Sequence, residues 1–357
     1  MPIGQQSFNE YVHGTRVWLM NNRAFLSKDT GAEIKANSPY ELMPTVKLAK
    51  SRGILLVHGL LDSPYSFVDI APMLASMGFQ VRTVLLEGHG SKPADLLNAD
   101  FDHWRDLVEQ QTQIFKREVE ELYLGGFSTG ANLVTSYALK DPDIQGLLLF
   151  SPGFEAKNDM VRLTPFISLF RDWVYTPSMK SQTNYVRYRT APSNAFAQFY
   201  HSSSDIMHRL KRRQYDKPVF IAVSEADSIV DVNLALELFS SRMINPKSRL
   251  IWFGDKPHST DERVTVLSGK VPKFKVSNFS HMGLLFDSKN GYYGTNGSQR
   301  ICNNGQQAEA YFRCVKRKEV WYSAYGYREA DKAHARLTFN PWFDEMRDVI
   351  REVVLAD

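Results

Sequence analysis

The pentapeptide Gly126-Phe127-Ser128-Thr129-Gly130 sets one serine between two glycines, where the hydrophobic run ELYLGGF (121–127) gives way to the helix-forming stretch ANLVTSYALK. A G-x-S-x-G spacing at such a junction suits nucleophilic chemistry. The turn is sharp enough to lift the hydroxyl clear of a sheet, and Gly126 and Gly130 leave the room it needs. The same turn puts Ser128 at a helix N-terminus, where free N–H groups and the helix dipole stabilise negative charge. A serine hydroxyl is a weak nucleophile until a base takes its proton, so a histidine oriented by a carboxylate must come from elsewhere in the chain.

Asp227, in SEADSIVD, follows the strand-like KPVFIAV and can turn toward a site from that strand's C-terminal edge. Its rivals are Glu225, nearer the strand end, and Asp231, better placed to cap the next helix. His281, in SNFSHMGLLF, lies in a loop with Gly283 and comes after the acid in the chain; His258, in the turn-like PHSTDE, is the alternative base. Attack on a carbonyl also needs two N–H donors for the oxyanion. The backbone N–H groups of Leu60 and Thr129 can supply them, with His58 and Gly59 shaping the loop HGLLDSP (58–64) and His58 read as structural.

These residues need a frame of alternating strands and helices. RGILLVH (52–58), FQVRTVLL (79–86), ELYLGGF, IQGLLLF (144–150) and KPVFIAV (217–223) read as buried strands. Helices are expected over 64–78, with Ser63 as cap and Pro64 first, over 100–119, over 131–140, near 232–243 after Asp231, and from Asn340-Pro341 to the C-terminus. The alternation implies a mostly parallel sheet with helices on both faces. SRLIWF, ERVTVL and KFKVSNF also read as strands, one pair of them an added hairpin. Residues 155–212 break the rhythm. Phe166, Phe170 and Trp173 fall there at helical spacing, as part of a packed helical insert or of a cap whose apolar underside holds substrate.

At 357 residues, with 43% hydrophobic and 23% charged residues, the chain is in the globular range. A formal charge of +4 without a basic stripe or an RNA-type aromatic motif argues against nucleic acid. No apolar run reaches the roughly 20 residues of a membrane span, and the first 20 residues lack the apolar core of a secretory signal, so the chain as it stands reads as soluble and cytoplasmic. Cys302 and Cys314 sit in one Gly/Asn-rich stretch. They are either a disulfide closing a local loop, which would favour a periplasmic or secreted protein whose signal was removed, or two reduced thiols. No metal site is expected, because a zinc centre would need two more ligands nearby.

His58-Gly59, LEGHG (86–90), GFSTG, EADSIVD and SHMG together resemble the α/β-hydrolase superfamily, in its bacterial carboxylesterase and monoacylglycerol-lipase-like branch, over about residues 50–285. The resemblance implies an N-terminal extension (1–50), a hydrolase core (51–154 and 213–357) carrying a Cys-containing insertion at about 282–335, and a helical cap (155–212). It implies a Ser128-Asp227-His281 triad with Leu60 and Thr129 as oxyanion donors. It further implies hydrolysis of short to medium carboxylic esters, monoacylglycerols among them, through an acyl-enzyme without cofactor. The partner is then a small or lipid-like ester. An amidase or peptidase on the same triad and a catalytically silent binding protein are the alternatives. The chain departs from the family at Glu87, where proline is usual, and in the insertion after His281.

Overall fold

The computed structural model describes residues 4–173, 183–316 and 319–355. These residues group into two compact units, one of 1–148 with 152–213 and one of 149–151 with 214–357. Part of the expected cap, 174–182, lies outside the described residues.

The first unit opens with helices α1 (Phe8–Asn22) and α2 (Thr30–Asn37), followed by the two-residue strand β1 (Glu41–Leu42) and by β2 (Arg52–Val57). Then come α3 (Ile70–Ser76), β3 (Phe79–Val84), α4 (Phe101–Lys116), β4 (Glu121–Phe127) and α5 (Thr129–Ala138). β5 (Ile144–Phe150) divides between the units, and α6 (Thr164–Ile167) and α7 (Ser193–Arg212) complete the first. The strand order here is β1-β3-β2-β4-β5. β2 runs parallel to both β3 and β4, and β1 is antiparallel to β3, pairing Glu41 with Arg82. Ile54 to Val57 and Leu122 to Phe127 are buried without a break, as expected where both faces of a strand are covered.

The 64–78 helix forms in two pieces. Pro64–Phe67 is a 3₁₀ turn capped by the Ser63 hydroxyl, and α3 begins only at Ile70. Pro72 explains the break. It has no N–H to offer the carbonyl four residues back, so it is tolerated in the first turn of α3 but not inside one long helix.

The second unit contains β6 (Val219–Ser224), α8 (Val232–Arg242), β7 (Arg249–Phe253) and β8 (Val264–Leu267), in the order β6-β7-β8 and all parallel. The expected hairpin is therefore absent from these strands. KFKVSNF is not a strand either: Pro272–Phe274 makes a 3₁₀ turn and Lys275 adopts left-handed backbone at φ 55°. The insertion supplies α9 (Ala308–Val315) and a separate parallel pair, β9 (Val320–Ser323) with β10 (Ala333–Arg336). Cys302 and Cys314 are joined in a disulfide, and both are buried. α10 (Phe343–Leu355) follows the Asn340 side chain, which accepts the Trp342 N–H, and buries Met346, Ile350, Val353 and Val354 while Val349 stays half-buried.

Candidate active site

In the first unit β4 runs into α5 through Ser128, whose φ of 54° and ψ of −115° lie where a non-glycine residue is strained. The neighbouring glycines allow it. A Cβ on Gly130 would stand 2.0 Å from the Val57 carbonyl oxygen, and one on Gly126 would stand 2.5 Å from the Ala131 nitrogen. The turn is held by its own carbonyl, since Ser128 O accepts the N–H groups of Ala131 (3.0 Å), Asn132 (3.3 Å) and Gly153 (3.2 Å). Asn132 answers by donating to Gly153 O at 2.7 Å and to the Ser202 hydroxyl of α7 at 3.2 Å. Ser128 is nearly buried, at 6% exposure, so a nucleophile here would react in a partly desolvated setting.

The loop 58–64 approaches this turn closely. A Cβ on Gly59 would stand 3.1 Å from Ser128 Cβ. Neither the Leu60 nor the Thr129 N–H donates to a protein acceptor among the described residues. Leu61, next to Leu60, has φ 68°, and both of its peptide groups are fixed. Its N–H donates to His89 Nε2 at 3.0 Å, and its carbonyl accepts the Tyr188 N–H at 2.7 Å. The Ser63 hydroxyl donates to Val186 O at 2.7 Å.

Two buried histidines support the loop. The Leu86 N–H donates to His58 Nε2 at 3.1 Å, so the proton sits on Nδ1, which donates to Gly59 O at 2.8 Å. By the same logic His89 accepts through Nε2 and donates from Nδ1 to Glu87 O at 3.0 Å. Burial pushes His89 down to about 4, and burial together with the adjacent His89 ring holds His58 well below the usual imidazole range. Both are neutral fixtures whose tautomers are set by backbone partners.

Tyr188 and Asn132 escaped the sequence reading, and His89 entered it only as part of LEGHG, with no role of its own. The available signal for His89 was its place between Gly88 and Gly90, both at positive φ (80° and 76°), which marks a loop wound around its imidazole.

In the second unit Asp227 is fully buried just past β6. Its Oδ1 accepts the N–H groups of Ile229 (2.8 Å) and Val230 (3.2 Å), while Oδ2 stands 2.6 Å from His281 Nδ1. The rivals are otherwise engaged. Glu225 is exposed and accepts the Asp255 N–H at 2.7 Å, and Asp231 caps α8 by accepting from Asn233 (3.0 Å) and Leu234 (3.1 Å). His258 is exposed. The His281 loop is anchored on both sides: its carbonyl accepts the Ser151 hydroxyl at 3.0 Å, and Ser280 donates to Leu337 O at 2.5 Å.

The described aromatic residues of the 155–212 segment divide by depth: Tyr188 and Phe199 are buried, while Tyr185, Phe196 and Tyr200 are half-buried. Phe166 and Phe170 are 67% and 77% exposed, with their rings 5.1 Å apart, and Trp173 is half-buried.

A family model described as serine aminopeptidase, S33, matches residues 49–260. A curated relative, a thermostable monoacylglycerol lipase of Bacillus sp. (strain H-257), is 32% identical over 96 residues, which are 27% of this chain and 38% of that protein. The chain thus spans well under half the length of that relative. Among solved structures, one from a study of LipS and LipT, two metagenome-derived lipolytic enzymes, has a TM-score of 0.51 at 21% identity and covers 61% of this chain and 87% of its own. With the family model matching more than half of the chain and this fold shared, the chain belongs to the serine aminopeptidase S33 family of α/β-hydrolases.

Proposed function

We propose that this chain is a serine hydrolase that cleaves carboxylic esters of short to medium acyl chains, monoacylglycerols among them. In this reading Ser128 Oγ attacks the ester carbonyl carbon while His281 Nε2 takes its proton. Asp227 holds the other ring nitrogen in its protonated form. The Leu60 and Thr129 N–H groups receive the charge that develops on the carbonyl oxygen. As the tetrahedral intermediate collapses, the carbon–oxygen bond to the alcohol breaks and His281 returns the proton to the leaving oxygen. Water then attacks the acyl-enzyme, His281 again takes the proton and passes it back to Ser128, and the carboxylic acid departs.

The observation that carries this reading is the strained backbone at Ser128, beside two N–H groups with no protein acceptor among the described residues. The similarity to a monoacylglycerol lipase supports an ester as substrate. The segment 155–212 serves as the cap over the acyl group. The Cys302–Cys314 bond supports an oxidising compartment over the cytoplasm. A second reading, amide or peptide cleavage on the same residues, is favoured by the description of the family model.

A fluorophosphonate probe should label Ser128. Ser128→Ala should remove both labelling and turnover of p-nitrophenyl esters, by about 10³-fold or more, with the circular dichroism spectrum unchanged. Labelling at a different serine would refute the assignment. Faster turnover of aminoacyl anilides than of esters would replace the ester reading with the peptidase one.

A further inference from the structure

Within the second unit, three pieces of chain surround an open cavity of about 490 Å³. Lys273, Phe274 and Lys275 line it from the turn after β8; Thr295 and Arg300 from the glycine-rich loop of the insertion; Glu319, Val320 and Tyr322 from β9 and the residue before it. The walls are fixed by backbone bonds. Val271 and Val276 exchange N–H···O bonds of 3.0 and 3.1 Å, which pins the turn and holds Lys275 in its left-handed conformation. Across the cavity, Thr295 N donates to Ser288 O (2.9 Å) and Gln299 N to Tyr292 O (2.8 Å). At Gly297 a Cβ would come within 2.4 Å of the Tyr292 oxygen.

Two of the residues that line this cavity, Arg300 and Thr295, each carry a polar atom left unpaired among the described residues. Arg300 Nη1 and Thr295 Oγ1 are both buried, and neither has a hydrogen-bond partner among the described residues. Native proteins rarely leave such groups unsatisfied, and a guanidinium nitrogen is among the costliest to strand. The charge balance points the same way. Among the described lining residues three cations stand against one carboxylate, and Glu319 is already engaged with Lys275 at 3.2 Å. Walls with this surplus of positive charge suit an anion. A phosphoryl group, with three oxygens, can accept from the guanidinium fork, the hydroxyl and an ammonium together. The volume far exceeds one phosphate and falls in the range of small-molecule sites. The Phe274 and Tyr322 rings and Val320 provide an apolar surface for the rest of a ligand.

We propose that this cavity binds a phosphoryl-bearing ligand, its phosphate held by Arg300 and Thr295 with Lys273 and Lys275 at the mouth, and its organic part against Phe274 and Tyr322. The site is built from the insertion and the turn before it, and it stands independently of the hydrolase reading.

Calorimetric titration of the full chain with phenyl phosphate should give saturable binding, tighter than for inorganic phosphate and weakened by salt. Arg300→Gln should weaken it about tenfold or more, the loss of one charge-assisted contact. Thr295→Val, which removes only the hydroxyl, should weaken it less, and it serves as the test if the arginine variant does not fold. Sedimentation with vesicles containing phosphatidic acid, against phosphatidylcholine alone, separates a lipid headgroup from a soluble monoester as the source of the phosphate. Vesicle binding lost in either variant assigns the headgroup to the same cavity. The proposal is overturned if neither phenyl phosphate at up to about 10 mM nor phosphatidic acid binds. Binding that both variants leave intact would overturn it equally.

Discussion

Asp227 engages both of its carboxylate oxygens at once, one with two backbone N–H groups and the other with His281. That division gives a sharp expectation. Asp227→Asn keeps the size and the backbone contacts but presents an amide to His281 and permits the wrong tautomer, so kcat should fall by about 10⁴ with little loss of stability. Asp231→Asn alters only a helix cap, since asparagine caps nearly as well, and should leave kcat within about twofold. Steady-state kinetics on the two variants with one p-nitrophenyl ester checks both, and equal losses would remove the role proposed for Asp227. Much of this was legible at the level of single residues. Asp231 announces its cap by standing just before a helix-forming run, and the glycines at 126 and 130 announce the turn. What separates Asp227 from Glu225 is not in the local sequence. It depends on Asp255, thirty positions away, whose N–H occupies Glu225.

At the scale of elements, the segment before β2 does more than extend the chain. Arg23, at the end of α1, pairs with Glu33 of α2 at 2.9 Å with both side chains buried, and it also donates to the carbonyls of Gly90 and Tyr185. Glu33 in turn accepts the Leu26 and Ser27 N–H groups. The two helices thus clasp the loop that carries His89. Arg23→Met strands a buried carboxylate and should cost about 3–5 kcal/mol in urea unfolding, whereas the Arg23→Met/Glu33→Gln pair should recover part of that loss. A change below about 0.5 kcal/mol, typical of a surface site, would show that the clasp is idle. Helices and strands with long periodic patterns, such as α4 and β4, could be read directly from the residues. The misreadings all involve proline or distant pairing: Pro72 splits the 64–78 helix, Pro272 turns an expected strand into a 3₁₀ turn, and the β9–β10 pair depends on contacts across the insertion that no local pattern encodes.

For the whole molecule, the buried histidines make stability depend on pH. The folded-state value of His89 is near 4 against an ordinary 6.5, so above about pH 6.5 the ring is neutral whether the chain is folded or not. As pH falls from about 6.5 toward 4, the unfolded chain takes up a proton that the folded one refuses, and stability drops by about 1.4 kcal/mol per pH unit for each such histidine. Below that window the loss from His89 levels off. Denaturant titrations at several pH values should show this slope, and His89→Gln, whose carbonyl oxygen can accept the Leu61 N–H without titrating, should flatten it. An unchanged slope in that variant would exclude His89 as its source. β1 has a consequence of another kind. It is two residues long and antiparallel, and it lies along the outer side of β3, whose six residues are almost entirely buried. A long open margin of that kind invites a second molecule to pair with it, but a two-residue strip tipped by Glu41 offers too little backbone to be copied. The short strand thus lowers the tendency of this edge to pair with another molecule.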